Sequence, residues 1–177
     1  MRELKYHVAT TVDGFIGHED GSVDGFLEEG DHATEFLEAL KNDYGVVLMG
    51  RKTYEFGLRL GVTDPYPWLE QYVFSRTMEG SPDPNVALVS ENIIDFVRGL
   101  KKETGKDIYL CGGAELAATL FAEELIDEIV LKVNPVLFGS GIPLFSAVVE
   151  QTALEPIGSR SYDNGVVLLR YRARTGQ

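Results

Sequence analysis

Short apolar runs alternate along this chain with segments whose apolar residues fall at helical spacing. His7 to Val12 reads as a first strand, and Ala33, Phe36, Leu37, Leu40 and Tyr44 follow at helical spacing behind Asp31, a candidate N-cap. Val46 to Met49, Gln71 to Ser75 and Val86 to Val89 read as further strands. Ile93, Ile94, Val97 and Leu100 form one face of a helix that ends in Lys101 and Lys102 with Gly105 beyond, as the helix dipole favours. Asp107 to Cys111 is a strand, Ala114 to Phe121 a helix and Glu128 to Val133 a strand. Pro135 and the segment Gly139-Ser140-Gly141 interrupt the pattern. Leu154 to Ile157 and Val166 to Tyr171 flank Asn164-Gly165 and predict an antiparallel hairpin. Such alternation predicts a three-layer α/β/α fold with a mostly parallel sheet, and no linker or repeat divides residues 1–177, so a single domain is expected.

Two junctions in this pattern carry chemistry. Ile108-Tyr109-Leu110 stops at Cys111-Gly112-Gly113 and a helix follows; Val46-Val47-Leu48-Met49 stops at Gly50, followed by Arg51-Lys52-Thr53-Tyr54. The first N–H groups of a helix have no intrahelical partner, and glycines let a ligand come close, so each junction can accept a phosphate. A Gly-Gly pair is also an ordinary tight turn. Two phosphate-ready junctions in 177 residues together point to a dinucleotide, although neither G-x-G-x-x-G nor a P-loop motif is present.

The formal net charge of -12 argues against a nucleic-acid partner. A bound phosphate would then rely on local cations, and Arg51, Lys52 and Arg76 follow apolar runs where strand ends place them. The lone cysteine, Cys111, reads as a small core residue, and no apolar stretch of signal-peptide or membrane-spanning length occurs, which predicts a cytoplasmic location and no membrane.

Other residues have competing readings. Asp20, Ser22, Asp24, Gly25 and Asp31 fit the spacing of a calcium loop, but a strand and a glycine-rich turn precede Asp20 where a helix is needed. A solvated acidic loop or a mobile flap over an active site are the alternatives. His7, His18 and His32 lack partners at metal-ligand spacing, so no metal site is expected; His7 suits a packed strand face and His18 could reach a substrate. Trp68 could stack on a heterocycle or cover core.

In order along nearly its whole length, the chain carries Ala9-Thr10-Thr11-Val12-Asp13-Gly14-Phe15-Ile16-Gly17, Met49-Gly50-Arg51-Lys52-Thr53-Tyr54, Val73-Phe74-Ser75-Arg76 and Leu110-Cys111-Gly112-Gly113-Ala114-Glu115-Leu116. It resembles the dihydrofolate reductase superfamily and, within it, the reductase domain of the bacterial bifunctional deaminase-reductase of riboflavin biosynthesis. Ile126-Asp127-Glu128-Ile129 and Asn134 to Phe145 look like the riboflavin branch.

The resemblance implies NADPH as hydride donor. Gly50, Arg51, Lys52 and Thr53 would hold the adenosine-side phosphates, Arg51, Ser75 and Arg76 the 2′-phosphate, and Gly112, Gly113, Ala114, Glu115 and Leu116 the pyrophosphate. Ala9, Ile16 and Gly17 would line the nicotinamide. Folate reductases position the pterin with an acid at the start of the first helix; Asp31 is the candidate for that contact here, with an N-cap as the alternative. The expectation is a stand-alone reductase acting by direct hydride transfer on a small heterocycle of the 5-amino-6-(5-phosphoribosylamino)uracil type. Pterin or dihydrofolate reduction, or a non-catalytic NADP-binding sensor, are the alternatives. By the same likeness the protein would be a homodimer. Separately, the Gly139 to Phe145 segment could serve a substrate contact or a subunit contact, and the sequence does not decide between them.

Overall fold

The computed structural model describes residues 1–147 and 150–173. Among these, the strands are β1 (Leu4–Thr11), β2 (Phe15–Gly17), β3 (Tyr44–Gly50), β4 (Glu70–Phe74), β5 (Val86–Val89), β6 (Asp107–Gly112), β7 (Glu128–Asn134), β8 (Ile142–Pro143), β9 (Leu154–Ser161) and β10 (Val167–Ala173). The helices are α1 (Asp31–Asn42), α2 (Arg51–Arg59), α3 (Ile93–Lys102) and α4 (Ala114–Ala122). The main sheet has the order β5-β4-β3-β6-β1-β7-β10-β9. From β5 to β7 every pairing is parallel, and β10 runs antiparallel to both β7 and β9. This is the expected α/β architecture with its C-terminal hairpin.

Strand alternation sorts the apolar side chains into two cores. Leu4, Tyr6, Val46, Leu48, Ile108 and Leu110 face α3 and α4, where Val97, Leu100, Ala117 and Leu120 cover them. Their sequence neighbours Val47, Met49 and Tyr109 face the other way, together with Val73 of β4, against Leu40 of α1 and Tyr54 of α2. Strands buried on both faces read as continuous apolar runs, which is why β3 and β6 are so legible.

Three local expectations change. The N-cap of α1 is Gly30, whose φ of 123° suits glycine, and no side chain caps it; Asp31 is the first helical residue. Tyr44 opens β3 instead of closing α1, because Asp43 ends the helix and the tyrosine ring still joins the core that the helix covers. β1 starts at Leu4, earlier than the apolar alternation suggests, since the Leu4 N–H is held by Asp127 (2.7 Å) and the Glu3 N–H by Asp107 (3.0 Å).

The interruption after Pro135 has a use. β8 pairs with β2 in a small separate sheet, and a Cβ on Gly141 would lie 2.3 Å from the Gly17 carbonyl oxygen, so only glycine permits the approach.

Candidate functional site

From β3 the chain moves outward to β4 and β5; from β6, the neighbour of β3, it moves the other way, past β1 to β7. The ends of β3 and β6 therefore flank the point where winding reverses, the place where open α/β sheets leave a crevice. Both glycine junctions lie there. An ideal Cβ on Gly113 would sit 3.3 Å from the Gly50 Cα, and one on Gly50 would sit 3.4 Å from the Gly113 Cα. The two bends are in backbone contact.

No side chain caps either helix that leaves these bends. Gly112 (φ 156°) and Gly113 (φ 107°) hold the second bend in backbone space that other residues rarely enter. Around it, Ala114 and Leu116 are buried and Glu115 is exposed. The ladder between β3 and β6 slips beside Cys111, pairing Leu48 with Leu110 but Met49 with Gly112.

The cations lie at the same edge. Arg51 and Lys52 occupy the first turn of α2, which carries no acid, the reverse of what the dipole favours. The Arg51 guanidinium contacts both oxygens of Glu55 (2.8 and 3.0 Å), and Lys52 reaches Glu115 of α4 at 3.8 Å. Ser75 follows β4, whose Phe74 pairs with Gly50; its hydroxyl accepts the N–H groups of Thr77 (3.2 Å) and Met78 (3.0 Å). Arg76 beside it is exposed and makes no ion pair among the described residues.

Ala9, near the end of β1, pairs with Lys132 of β7, while Ile16 and Gly17 belong to the small sheet. The intervening segment from His18 to Gly30 is tied down at Leu27. Its N–H donates to Asn134 Oδ1 (2.9 Å), and its carbonyl oxygen accepts from Lys132 Nζ (2.8 Å) and His32 Nε2 (3.0 Å). Burial pulls the Lys132 pKa down, with the Glu28 charge opposing. His18 stacks on Phe138 with ring centroids 3.9 Å apart, and Phe26 also stacks on Phe138, at 5.2 Å. His7 packs among Phe36, Tyr44 and Tyr109, and burial, reinforced by nearby cations, lowers its pKa to about 3.

Asp31 is exposed at the start of α1, beside Gly30 and buried His32. His32 accepts a hydrogen bond from Asn164 Nδ2 (3.1 Å) in the hairpin turn, and Glu35 accepts one from the Tyr162 hydroxyl (2.7 Å). This end of α1 is thus fastened to the turn between β9 and β10. Trp68 lies on the surface against Tyr66, with Lys41 Nζ 5.7 Å from its ring centre.

Sequence reading missed a cavity of about 210 Å³ beside the bends, lined by Met49, Thr53, Tyr54, Phe56, Tyr66 and Cys111 among others. Thr53 joins it to the glycine bend: a Cβ on Gly112 would lie 3.5 Å from the Thr53 Oγ1. The Tyr54 hydroxyl is spent on the Thr63 carbonyl (2.7 Å), whereas the Tyr66 hydroxyl and the Cys111 thiol hydrogen-bond each other at 3.2 Å. Burial pushes both pKa values up, so both stay protonated and the thiol is no ready nucleophile. Alternation of β3 and β6 places Met49 and Cys111 on one face, which is the signal that could have found this cavity.

Known proteins resemble this chain in sequence and in fold. The RibD C-terminal domain family matches residues 2–168. Two uncharacterized proteins of Bacillus subtilis (strain 168) are similar over 97% of the chain: YwjB, 35% identical across 99% of its own length, and YyaP, 34% identical across 95%. A protein of Shewanella sp. PV-4 whose name points to riboflavin biosynthesis superposes with a TM-score of 0.82 at 25% identity, covering 99% of this chain and all of that one. A Thermotoga maritima deaminase/5-amino-6-(5-phosphoribosylamino)uracil reductase shares the fold, with a TM-score of 0.71 at 14% identity over 98% of this chain and 57% of that one. With its parallel sheet, its reversal point and its paired glycine bends, the chain belongs to the RibD C-terminal domain family of the dihydrofolate reductase-like superfamily.

Proposed function

We propose that this protein is an NADPH-dependent reductase that transfers hydride directly to a small heterocycle of the 5-amino-6-(5-phosphoribosylamino)uracil type. The observation that carries this reading is the backbone contact between two uncapped helix starts at the reversal point of the sheet. Family membership supports reduction as the chemistry.

Two donor-rich bends a few ångströms apart suit the linked phosphates of a dinucleotide. Gly112 to Leu116 would receive the pyrophosphate, with Gly50, Lys52 and Thr53 on the adenosine side. Arg51, Ser75 and Arg76 would meet the 2′-phosphate. Placing Arg51 and Lys52 in the first turn of α2 disfavours the empty helix and becomes favourable once an anion arrives. Glu55 and Glu115 hold those cations in the meantime and must yield them.

The bound cofactor supplies the hydride, and the chain supplies position and dryness. Ala9, Ile16 and Gly17 would wall the nicotinamide, with the Leu27-anchored segment covering that side. Asp31 would contact substrate from the start of α1. A uracil-type ring is favoured over a pterin because Asp31, the carboxylate assigned to substrate here, is exposed at the helix start and does not line the cavity beside the bends. That same observation favours, as the second reading, an NADP-binding sensor without turnover.

Titration with NADPH and NADH, followed by Trp68 fluorescence, tests the cradle; micromolar NADPH binding with weaker NADH binding is the expected outcome. NADPH consumption with a ribosylaminouracil phosphate, against dihydrofolate, separates the chemistry. Tight NADPH binding with no turnover on either would move the assignment to the sensor.

A further inference from the structure

Among the described residues, every Lys or Arg that is not exposed has a carboxylate within ion-pair distance except Lys132 of β7. Its ammonium donates instead to the Leu27 carbonyl (2.8 Å), which uses one of its three N–H groups. A half-buried cation without a counter-charge is costly until negative charge reaches it. Lys132 pairs in register with Ala9, so the two side chains stand together on the face of the sheet that α1 covers, with His7 one place below Ala9 on β1. Leu27 and Glu28 approach from the segment before α1, His32 of α1 shares the Leu27 carbonyl, and β10 contributes apolar Leu168. The titratable groups around the amine are thus His7, Glu28 and His32. His7 stays unprotonated down to about pH 3, and both ring nitrogens of His32 are engaged, by Leu27 and Asn164.

We infer that Lys132 is the proton donor of the reduction, delivering its proton to the heteroatom of the C=O or C=N group whose carbon takes the hydride. This rests on the reductase reading above and adds to it the acid that hydride transfer needs. Ala9 is the residue assigned there to the nicotinamide wall, so a group reduced beside it has the Lys132 amine as a neighbour. As the new C–H bond forms at the expense of NADPH, the π pair of the double bond moves onto the heteroatom. The Nζ–H bond breaks, the proton passes to that heteroatom, and NADP and a neutral amine remain; water then returns a proton to the amine. Burial also brings the amine's pKa down, with the Glu28 charge opposing, which makes it a readier acid than an exposed lysine.

Single-turnover oxidation of bound NADPH by a ribosylaminouracil phosphate, followed against pH, tests this. In the wild type the rate should fall as the amine deprotonates, and Lys132→Met should lower it about a hundredfold with NADPH affinity within about twofold. Lys132→Arg keeps the charge and a donor for Leu27 but cannot release a proton, so it should be as slow and lose the alkaline limb. If Lys132 only clamps Leu27, arginine serves equally well, and recovery of the rate in Lys132→Arg overturns the proposal. Melting temperatures check the fold of each variant. A second readout needs no turnover: in wild-type protein labelled with ¹³C at lysine Cε, the signal lost in Lys132→Met should titrate below those of exposed Lys41 and Lys102 and shift when NADPH is added. Titration together with them and no response to NADPH overturns the proposal as well. A wild type that consumes no NADPH with this substrate or with dihydrofolate fails at the reductase reading and takes the donor with it, whereas turnover with an unchanged pH profile in Lys132→Arg removes the donor alone.

Discussion

The two edges of the main sheet solve opposite problems. Where the parallel strands begin, charge is closed upon charge: Lys5 meets Asp107 at 2.7 Å and Glu128 at 3.8 Å, Arg170 meets Glu128 at 2.6 Å, and Lys101 grips Asp127 and the Leu125 carbonyl. Burial pulls the Lys5 pKa down, but the hydrogen bond and charge of Asp107, with Glu128 and Glu3, outweigh it and leave the ammonium more firmly protonated than usual. Where the strands end, the bends of β3 and β6 expose backbone donors without side-chain caps, and of the nearby cations Arg51 is held by Glu55 while Lys52 reaches Glu115 only at 3.8 Å. One edge pairs its charges internally, the buried Arg2 Nε and Nη1 excepted, and on the reading proposed above the other offers its donors to a ligand. On that reading stability and binding are divided between opposite ends of the same strands.

The largest expected effect breaks the closed edge. The Glu128 side chain is only 5% exposed, and Glu128→Ala leaves Lys5 and Arg170 without their shared partner. A loss of about 3 kcal/mol in denaturant unfolding is expected, with nucleotide affinity of the folded protein unchanged. Gly113→Ala should do the reverse. Its methyl would press on Gly50 and sit at positive φ, so NADPH affinity should fall by about a hundredfold for a stability cost of about 1–2 kcal/mol, read by titration and thermal melting.

His7 lies on β1 between the edges and makes stability depend on pH. The unfolded chain takes up a proton near pH 6.5, whereas the folded imidazole stays neutral down to about 3. Between those values the unfolded state binds more protons, so stability should fall by up to about 1.4 kcal/mol per pH unit on acidification and be level above. His7→Phe should flatten that part of the profile. At the open edge, Arg51→Ala should weaken NADPH about tenfold and NADH little, and equal losses would remove Arg51 from the 2′-phosphate. Smallest is Gly99→Ala: this exposed α3 position has open space for a Cβ, so a gain of about 0.5–1 kcal/mol with unchanged binding is expected.

Much of the open edge was legible because its elements speak locally. An apolar run ending in Gly-Gly before a helix is a local statement, and so is Met49-Gly50-Arg51-Lys52; that the two bends touch follows once their strands are neighbours. The cavity was not legible in the same way, since Tyr66 comes from a loop and meets Cys111 across 45 positions of sequence. Asp31 misled as a cap because Gly30, with positive φ, already turns the chain into α1, and a side-chain cap has no place there. The early start of β1 was hidden for a related reason: Asp107 and Asp127, more than a hundred residues away, fix Glu3 and Leu4 by their main-chain N–H groups, which leave no trace in a hydropathy pattern.

The fastening of Leu27 has a further corollary. Asn134, Lys132 and His32 take hold of its peptide groups and ignore its side chain. Position 27 should therefore be chemically permissive, tolerating almost any amino acid except proline, while the three residues that grasp it should each be intolerant of change. A fastening written in main-chain atoms keeps this segment in place whatever its own composition drifts to.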